Sequence, residues 1–407
     1  MTKFKLKGSI YMSNATEFFS ELQKHSDAKL QILNSYVIPW MRKIVLGTKA
    51  FGGKCLVIDG FAGQGVYDDG SDGSPIILLK CAIDCYNQFI ELGWAPPNIF
   101  LIFIEGSTEN YKLLKKNVID TVNLTDPKKF KDGAFFASDD YPTINIACFN
   151  DDFKDVLGKI LKDVPSLIPS FCFIDPFGFS QTPFDLIKKY MKNRFAEIFL
   201  NFIYEETNRF IKHTNKSIQQ HISDQFGVTD LEELKAMIDE TGDPNTRKQV
   251  IVSYYAGQLY NEANAKHVIS FEIKKKGRTK LVLFFATKNI VGLSTMKKAM
   301  WGVDNTGSYL YDDKQESDQI EFLFFKEEQE QQHIERLAGQ IEVFFSGKEN
   351  VTKNEVEEFT IVSTVYPEGK LLTGALKHLE KHKKIHVEKI DGSKRKSGFK
   401  DVYINFE

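Results

Sequence analysis

Apolar positions first recur at helical spacing: Phe18, Phe19 and Leu22, then Leu30, Leu33, Val37, Trp40 and Met41 predict one or two helices over residues 14–47, stopping at Gly47. The pattern then changes to short, continuous apolar runs separated by amphipathic stretches. CLVIDGF (55–61), FLIFIEG (100–106), IACFND (146–151), FCFID (171–175) and EIFLNFI (197–203) read as buried strands. Between them, IILLKCAIDCYNQFIEL (76–92), YKLLKKNVIDTV (111–122), FKDVLGKIL (153–161) and PFDLIKKYM (183–191) read as helices. Strands alternating with helices predict an α/β unit, a mostly parallel sheet with helices on both faces.

Residues 205–266 change character and read as several polar helices, broken at GDPN (242–245). VISFEIK and KLVLFFATK then flank the basic connector KKGRT and predict an antiparallel hairpin that closes the sheet. EEQEQQ (327–332) reads as a charged, helical linker. From residue 341, three short helices followed by a two-stranded wing over HVEKIDGSKRKSGFKDVYINF predict a winged helix, a helix-turn-helix variant. The expected organisation is therefore a helical preface (1–50), a Rossmann-like domain (51–326) with a helical insertion at about 205–266, and a winged-helix domain (341–407).

Composition narrows the function classes. A formal net charge of -2 and a hydrophobic share of 42% over 407 residues describe a globular chain with no overall nucleic-acid charge, so any such surface must be local. Residues 366–407 hold ten Lys/Arg against six Asp/Glu, whereas 341–365 hold two against five, which puts the basic side on the third helix and wing. Five scattered cysteines without a C-x-x-C pair argue against a disulfide framework or a zinc site and fit a reducing, cytoplasmic setting. No apolar signal core opens the sequence, and no apolar run approaches the roughly 18 residues of a membrane span. No metal site is expected.

The chemistry-bearing residues fall at strand ends, the edge where open α/β sheets bind ligands. In LVIDGFAGQG, Asp59 ends the first strand, and Phe61, Ala62, Gly63 and Gly65 form a small-residue turn before a helix. Its G-x-x-G-x-G spacing is not the dinucleotide fingerprint, and no phosphate-binding G-K-[ST] follows. Glu105 ends the second strand, where two carboxylate oxygens match two vicinal ribose hydroxyls. Asn150, Asp151 and Asp152 follow the third. After the fourth strand come Asp175, Pro176, Phe177 and Gly178. There the carboxylate and the Pro176 carbonyl are placed to accept hydrogen bonds from an amino group while the Phe177 ring stacks on a planar base. Two basic clusters suit phosphate contacts: Lys274, Lys275, Lys276 and Arg278 at the hairpin tip, and Lys394, Arg395 and Lys396 in the wing.

Asp59 with F-A-G-x-G, five parallel strands and a terminal hairpin resemble S-adenosylmethionine-dependent methyltransferases. More closely, KLQILNSYVIPW (29–40), VIDGFAGQGVYDDGSDGSP (57–75), FIDPFGFSQTPFDLI (173–187) and EIFLNF (197–202) resemble the three-Cys-motif partner protein family, which is methyltransferase-like and also ends in a winged helix. That resemblance implies a Rossmann-like methyltransferase sheet holding S-adenosylmethionine, with Asp59, Phe61, Ala62, Gly63, Gly65, Glu105 and Asp151 at the cofactor and Asp175 to Gly178 at the acceptor. It also implies a partner protein with three clustered cysteines, suggestive of an iron–sulfur cluster there. D-P-F-G departs from the D-P-P-Y of DNA amino-methyltransferases and is closer to the motif of tRNA N2-guanine methyltransferases, so DNA and RNA substrates stand level. The expectations are N-methylation of a nucleobase or, alternatively, a non-catalytic nucleic-acid-binding adaptor for the same partner. A winged helix serving only protein contacts is a third.

Overall fold

The structure is a computed structural model that describes the backbone of residues 10–47, 51–312 and 319–407 and the side chains of 28–47, 51–312 and 328–407. Each apolar run becomes a strand: β1 (Lys54–Asp59), β2 (Asn98–Ile104), β3 (Ile144–Phe149), β4 (Ser170–Ile174) and β5 (Ala196–Phe202). All four pairings among them are parallel. A parallel sheet buries both faces, which is why these runs are continuous and not alternating. Along β1, Cys55 and Val57 join one core while Leu56 and Ile58 join the other.

The first core lies under α1 (Ile10–Gly47), α2 (Ser74–Glu91), α3 (Thr108–Thr121) and α10 (Ile290–Val303). The second lies under α4 (Phe153–Asp163), α5 (Phe184–Met191) and the four helices of the 205–266 region, α6 (Tyr204–Phe210), α7 (Lys216–Phe226), α8 (Glu232–Asp239) and α9 (Pro244–Asn261). The GDPN break starts α9: Asp243 accepts the N–H groups of Asn245 and Thr246, and Pro244 occupies the first helical position. The preface is one continuous helix; Phe18, Phe19 and Leu22, part of its expected apolar spacing, have side chains outside the described ones. Tyr36 fastens that helix to the sheet by donating its hydroxyl to Glu197 of β5, which Thr287 Oγ1 also bonds at 2.6 Å. Burial holds the Glu197 carboxyl above its ordinary range.

The closing hairpin is β6 (His267–Lys275) and β7 (Arg278–Thr287), joined through Lys276 and Gly277, both at positive φ. A two-residue turn of that kind matches strand twist. β7 inserts antiparallel between β5 and β6, and β8 (Leu310–Asp312) extends the edge, giving the order β3-β2-β1-β4-β5-β7-β6-β8. Phe202 pairs with Val282, so Arg278 to Leu281 run on past the end of β5. At about 3.3 Å per residue, the basic turn overhangs the sheet's carboxyl edge by roughly 13 Å.

The C-terminal unit comprises α11 (Gln319–Phe345), β9 (Val351–Thr352), α12 (Lys353–Ser363), α13 (Lys370–Lys381), β10 (Ile385–Lys389) and β11 (Val402–Phe406). Its sheet has the order β10-β11-β9. This is a winged helix, with two differences from the expected one. Its first helix is long, not short, and the charged stretch 327–332 lies inside that helix, not in a separate linker, because Leu337 and Ala338 just beyond it belong to the same core as Ile341. Gly374 lets α13 close on α11, since a Cβ there would lie 2.6 Å from Ile334.

The unit is docked on α10. Lys297, which is buried, donates its ammonium to the carbonyls of Thr360 (3.2 Å), Ile361 (2.9 Å) and Thr364 (2.6 Å) at the C-terminus of α12. Helix C-termini leave carbonyls without partners, and a cation there satisfies them. Around this contact, Lys298 pairs with Glu368 and the Tyr309 hydroxyl donates to Val365 O. Trp301 packs on His333 and Tyr366.

Candidate active site at the carboxyl edge of the sheet

The ends of β1, β2, β3 and β4 bring the expected residues to one edge. Asp59 closes β1 fully buried; its Oδ1 accepts the Phe61 N–H at 3.2 Å, while its Oδ2 has no partner among the described residues. Burial pushes its carboxyl up to about 7, with Asp175 adding to the rise and the Ser74 hydroxyl, the Phe61 N–H and the Lys29 cation opposing it. Native Asp59 thus binds a proton that the unfolded chain has released, so its contribution to stability is full below about pH 4 and is lost as pH rises through about 7. Asp59→Asn is expected to raise the melting temperature by several degrees at pH 8, and less at pH 5, in calorimetric scans of the free protein.

The glycine loop is held from below. Ala62 N–H bonds to Ile104 O at 2.9 Å, and Gly63 N–H donates to Glu105 Oε2 at 2.8 Å. Gly63 has φ +62° and no atom of the described residues within 4 Å of a Cβ position, so among these its backbone faces open space. Gly65 is different: its φ is +90°, and its carbonyl receives the Gly73 N–H at 2.7 Å so closely that a Cβ on Gly73 would meet that oxygen at 2.9 Å. Gly60 likewise makes way for Phe153, at 2.6 Å. Gly65, Gly73 and Gly60 serve the packing of the turn, and Gly63 is the open position. The ring of Phe61 lies 5.2 Å from that of Phe153.

Glu105 is buried at the end of β2, with Oε1 accepting the Ser107 N–H at 2.8 Å and Oε2 taken by Gly63. The expected free ribose acceptor is therefore a brace for the loop in this structure, and each oxygen keeps one lone pair. Asn150 Nδ2 bonds Glu105 O at 2.9 Å, tying the β2 and β3 ends together. Asp151 is exposed, its Oδ1 accepting the Asp152 N–H at 2.8 Å.

After β4, Asp175 is embedded in contacts that sequence reading missed. Lys29, a buried side chain of α1, forms an ion pair with its Oδ2, and Asn201 Nδ2 of β5 donates to its Oδ1 at 2.8 Å. Asn201 Oδ1 is buried with no partner among the described residues. In the sequence Lys29 opens KLQILNSYVIPW and Asn201 sits within the apolar run EIFLNF, and nothing local says that they meet. Asp175 is 23% exposed, Pro176 is buried, and Phe177 is 74% exposed. Gln181 shapes this tip, its Oε1 accepting the N–H of Phe177 at 2.8 Å and of Gly178 at 3.1 Å. The ring thus projects from a loop that the chain itself holds in shape.

Lys274 to Arg278 stand at the same edge on the overhanging hairpin. In the wing, Lys394 and Lys396 are exposed. Arg395 departs from expectation: it forks onto Glu380 of α13, with Nη2 at 3.0 Å from Oε2, and its Nε donates to Gly398 O at 2.8 Å over the Phe399 ring. Its donors hold the wing to α13, so it is not placed for a phosphate contact. All five cysteines are buried and unpaired, and burial pushes Cys81 and Cys148 up to about 12. Among the described residues, no helix is long and apolar enough to cross a membrane.

Sheet order and converging strand ends define a Rossmann-like fold of the methyltransferase type carrying a C-terminal winged helix. A family model described as the GMT-like wHTH domain matches residues 310–392, from β8 into the loop of the wing. Among solved structures, the chain is similar to Trm1 from Pyrococcus horikoshii in complex with S-adenosyl-L-methionine, at 12% identity and a TM-score of 0.33, over 67% of this chain and 58% of that one. It is also similar to the O-methyltransferase from Bacillus cereus in complex with SAH, at 13% identity and a TM-score of 0.29, over 66% of this chain and 89% of that one. The chain thus spans less than two thirds of the Pyrococcus chain's length. No curated protein matches the sequence.

Proposed function

We propose that the chain is an S-adenosylmethionine-dependent methyltransferase acting on a nucleobase amino group in DNA or RNA, working with a three-Cys-motif partner protein. The observation that carries this reading is the Asp59 Oδ2 without a partner among the described residues, in the same strand-end turn as the open backbone of Gly63. A buried carboxylate oxygen without a donor is costly, and the α-ammonium of a methionine moiety supplies the missing donor. The residues present therefore fit the cofactor.

Asp59 would hold the amino group of that moiety, and the Gly63 backbone would allow it to approach closely. The remaining lone pairs of Glu105 would receive the ribose hydroxyls, and Asp151 would stand at the adenine edge. Bound there, the cofactor supplies an electrophilic methyl group. Phe177 offers its exposed face for stacking on a planar base. The Asp175 carboxylate and Pro176 carbonyl would orient the amino nitrogen, with Lys29 and Asn201 fixing Asp175 in place. The overhanging Lys274 to Arg278 turn and the exposed Lys394 and Lys396 would neutralise phosphates.

One observation favours a second reading, an adaptor without catalysis: both oxygens of Asp175 already accept bonds from Lys29 and Asn201. Calorimetry and methyl transfer from labelled cofactor separate the two. The wild type is expected to bind S-adenosylmethionine, Asp59→Ala and Glu105→Ala to bind it at least about 30-fold more weakly, about 2 kcal/mol, and Asp175→Ala to bind it normally without transferring. Absent wild-type binding sinks the enzyme reading. Cofactor binding and partner capture that both survive in a wild type unable to methylate any nucleic acid establish the adaptor.

A further inference from the structure

A groove of about 800 Å³ runs between α4 and α5, on the sheet face opposite α1. Both helices follow parallel strands and run from the carboxyl edge back to the amino edge. The groove begins at Lys154 and at Pro183, five residues beyond the Asp175 to Gly178 tip, and ends at Lys162, Lys192 and Arg194. Lys189 also lines it and pairs with Asp185 at 2.6 Å. Lys154, Lys162, Lys192 and Arg194 are exposed and have no ion pair among the described residues. Arg194 lies over the Phe195 ring at 5.0 Å, which leaves its charge uncompensated. Four cations without an ion pair along one channel hold an anion more readily than any single surface lysine does.

A second observation is independent of charge. Gly158 lies in the middle of α4 and lines the groove, where glycine costs a helix about 1 kcal/mol relative to alanine. No packing among the described residues requires it, since none of their atoms lies within 4 Å of a Cβ built there. This contrasts with Gly374, whose close neighbour on α11 excludes a side chain. A glycine that leaves empty space in a basic channel suits the close approach of a ligand backbone.

We propose that this groove holds the sugar–phosphate backbone of the nucleic acid strand whose base is presented at Phe177. The inference rests on the nucleobase reading above, and adds a path that leads the strand away from the site along α4 and α5. The cations would contact successive phosphates electrostatically, without reading sequence, and Gly158 would leave room for the sugars.

The test measures binding of labelled, mixed-sequence single-stranded RNA and DNA to the full chain across a salt series, with no cofactor present. The combined variant Lys154→Gln, Lys162→Gln, Lys192→Gln, Arg194→Gln is expected to reduce the slope of log affinity against log salt by about 3, at about 0.7 per phosphate contact on a single strand. Gly158→Gln is expected to weaken binding about tenfold with the salt slope unchanged, while its melting temperature stays level or rises. Wild-type slope and affinity in both variants overturn the proposal, whether or not the protein methylates. Polyglutamate displaced by the same substitutions, and competing as well as RNA, also overturns it, because the groove then attracts any polyanion. A wild type that binds no nucleic acid ends both this inference and the nucleobase substrate, whereas calorimetry with S-adenosylmethionine decides the cofactor separately.

Discussion

Lys29→Met is expected to destabilise the protein by roughly 2–3 kcal/mol and, on the proposed methyltransferase reading, to lower methyl transfer about 100-fold. The methylene stem of Met fills nearly the same space, so the change removes mainly the cation. Breaking a buried ion pair by deleting one partner costs about 3–5 kcal/mol, because the other charge stays desolvated. Asp175 is 23% exposed, and water reaching it reduces that penalty. The loss of transfer has a separate cause: without the ammonium on Oδ2, Asp175 is held by Asn201 alone and its orientation loosens. Adding Asp175→Asn removes the stranded charge, so the double variant is expected to recover much of the lost stability and none of the activity. A double-mutant cycle in urea, paired with single-turnover transfer assays, measures both. Additive stability losses would mean that the two side chains are not coupled.

Lys297→Met is expected to cost about 3 kcal/mol, because it strands carbonyls of Thr360, Ile361 and Thr364 at a buried contact. Hydrogen exchange should rise first at residues 361–366, and limited proteolysis should cut there before it cuts the sheet. The pH dependence has a definite sign. Burial pulls the Lys297 ammonium down to about 8, so from there to about 10.5 the folded chain binds fewer protons than the unfolded one. Stability contributed by this residue therefore rises with pH across that window. The gap between wild type and Lys297→Met should widen between pH 8 and 10 in denaturant titrations, and a gap that narrows would contradict the assignment.

The parts of the fold legible in the sequence are those with local causes. β1 to β5 are continuous apolar runs because both sheet faces are covered, and the hairpin follows from two apolar runs flanking KKGRT, although the two positive-φ residues that make its turn, Lys276 and Gly277, emerge only from the structure. The strand-end positions of Asp59, Glu105 and Asp175 follow from the same runs. What the side chains do there was not legible. Asp175 is gripped by a lysine 146 positions away, and Glu105 spends one of its oxygens on a glycine 42 positions away. Such partners are set by how the strands are ordered, not by spacing. Arg395 shows the reverse error: a run of basic residues looks uniform, yet Glu380 on α13 draws one of them inward. The long first helix of the winged unit was hidden because its charged middle, 327–332, lacks the apolar stripe that marks its ends.

The buried lysine on α10 fixes more than stability. Because it fastens the winged unit to a helix packed against the sheet, the distance from the wing to the Asp175 to Gly178 loop is set by packing and not by a tether. If the wing grips a nucleic acid, the chain acts as a ruler: the modified base should lie at a set interval from the gripped segment. Lengthening the 364–369 turn should move that interval or abolish modification, and should not spread it over neighbouring bases.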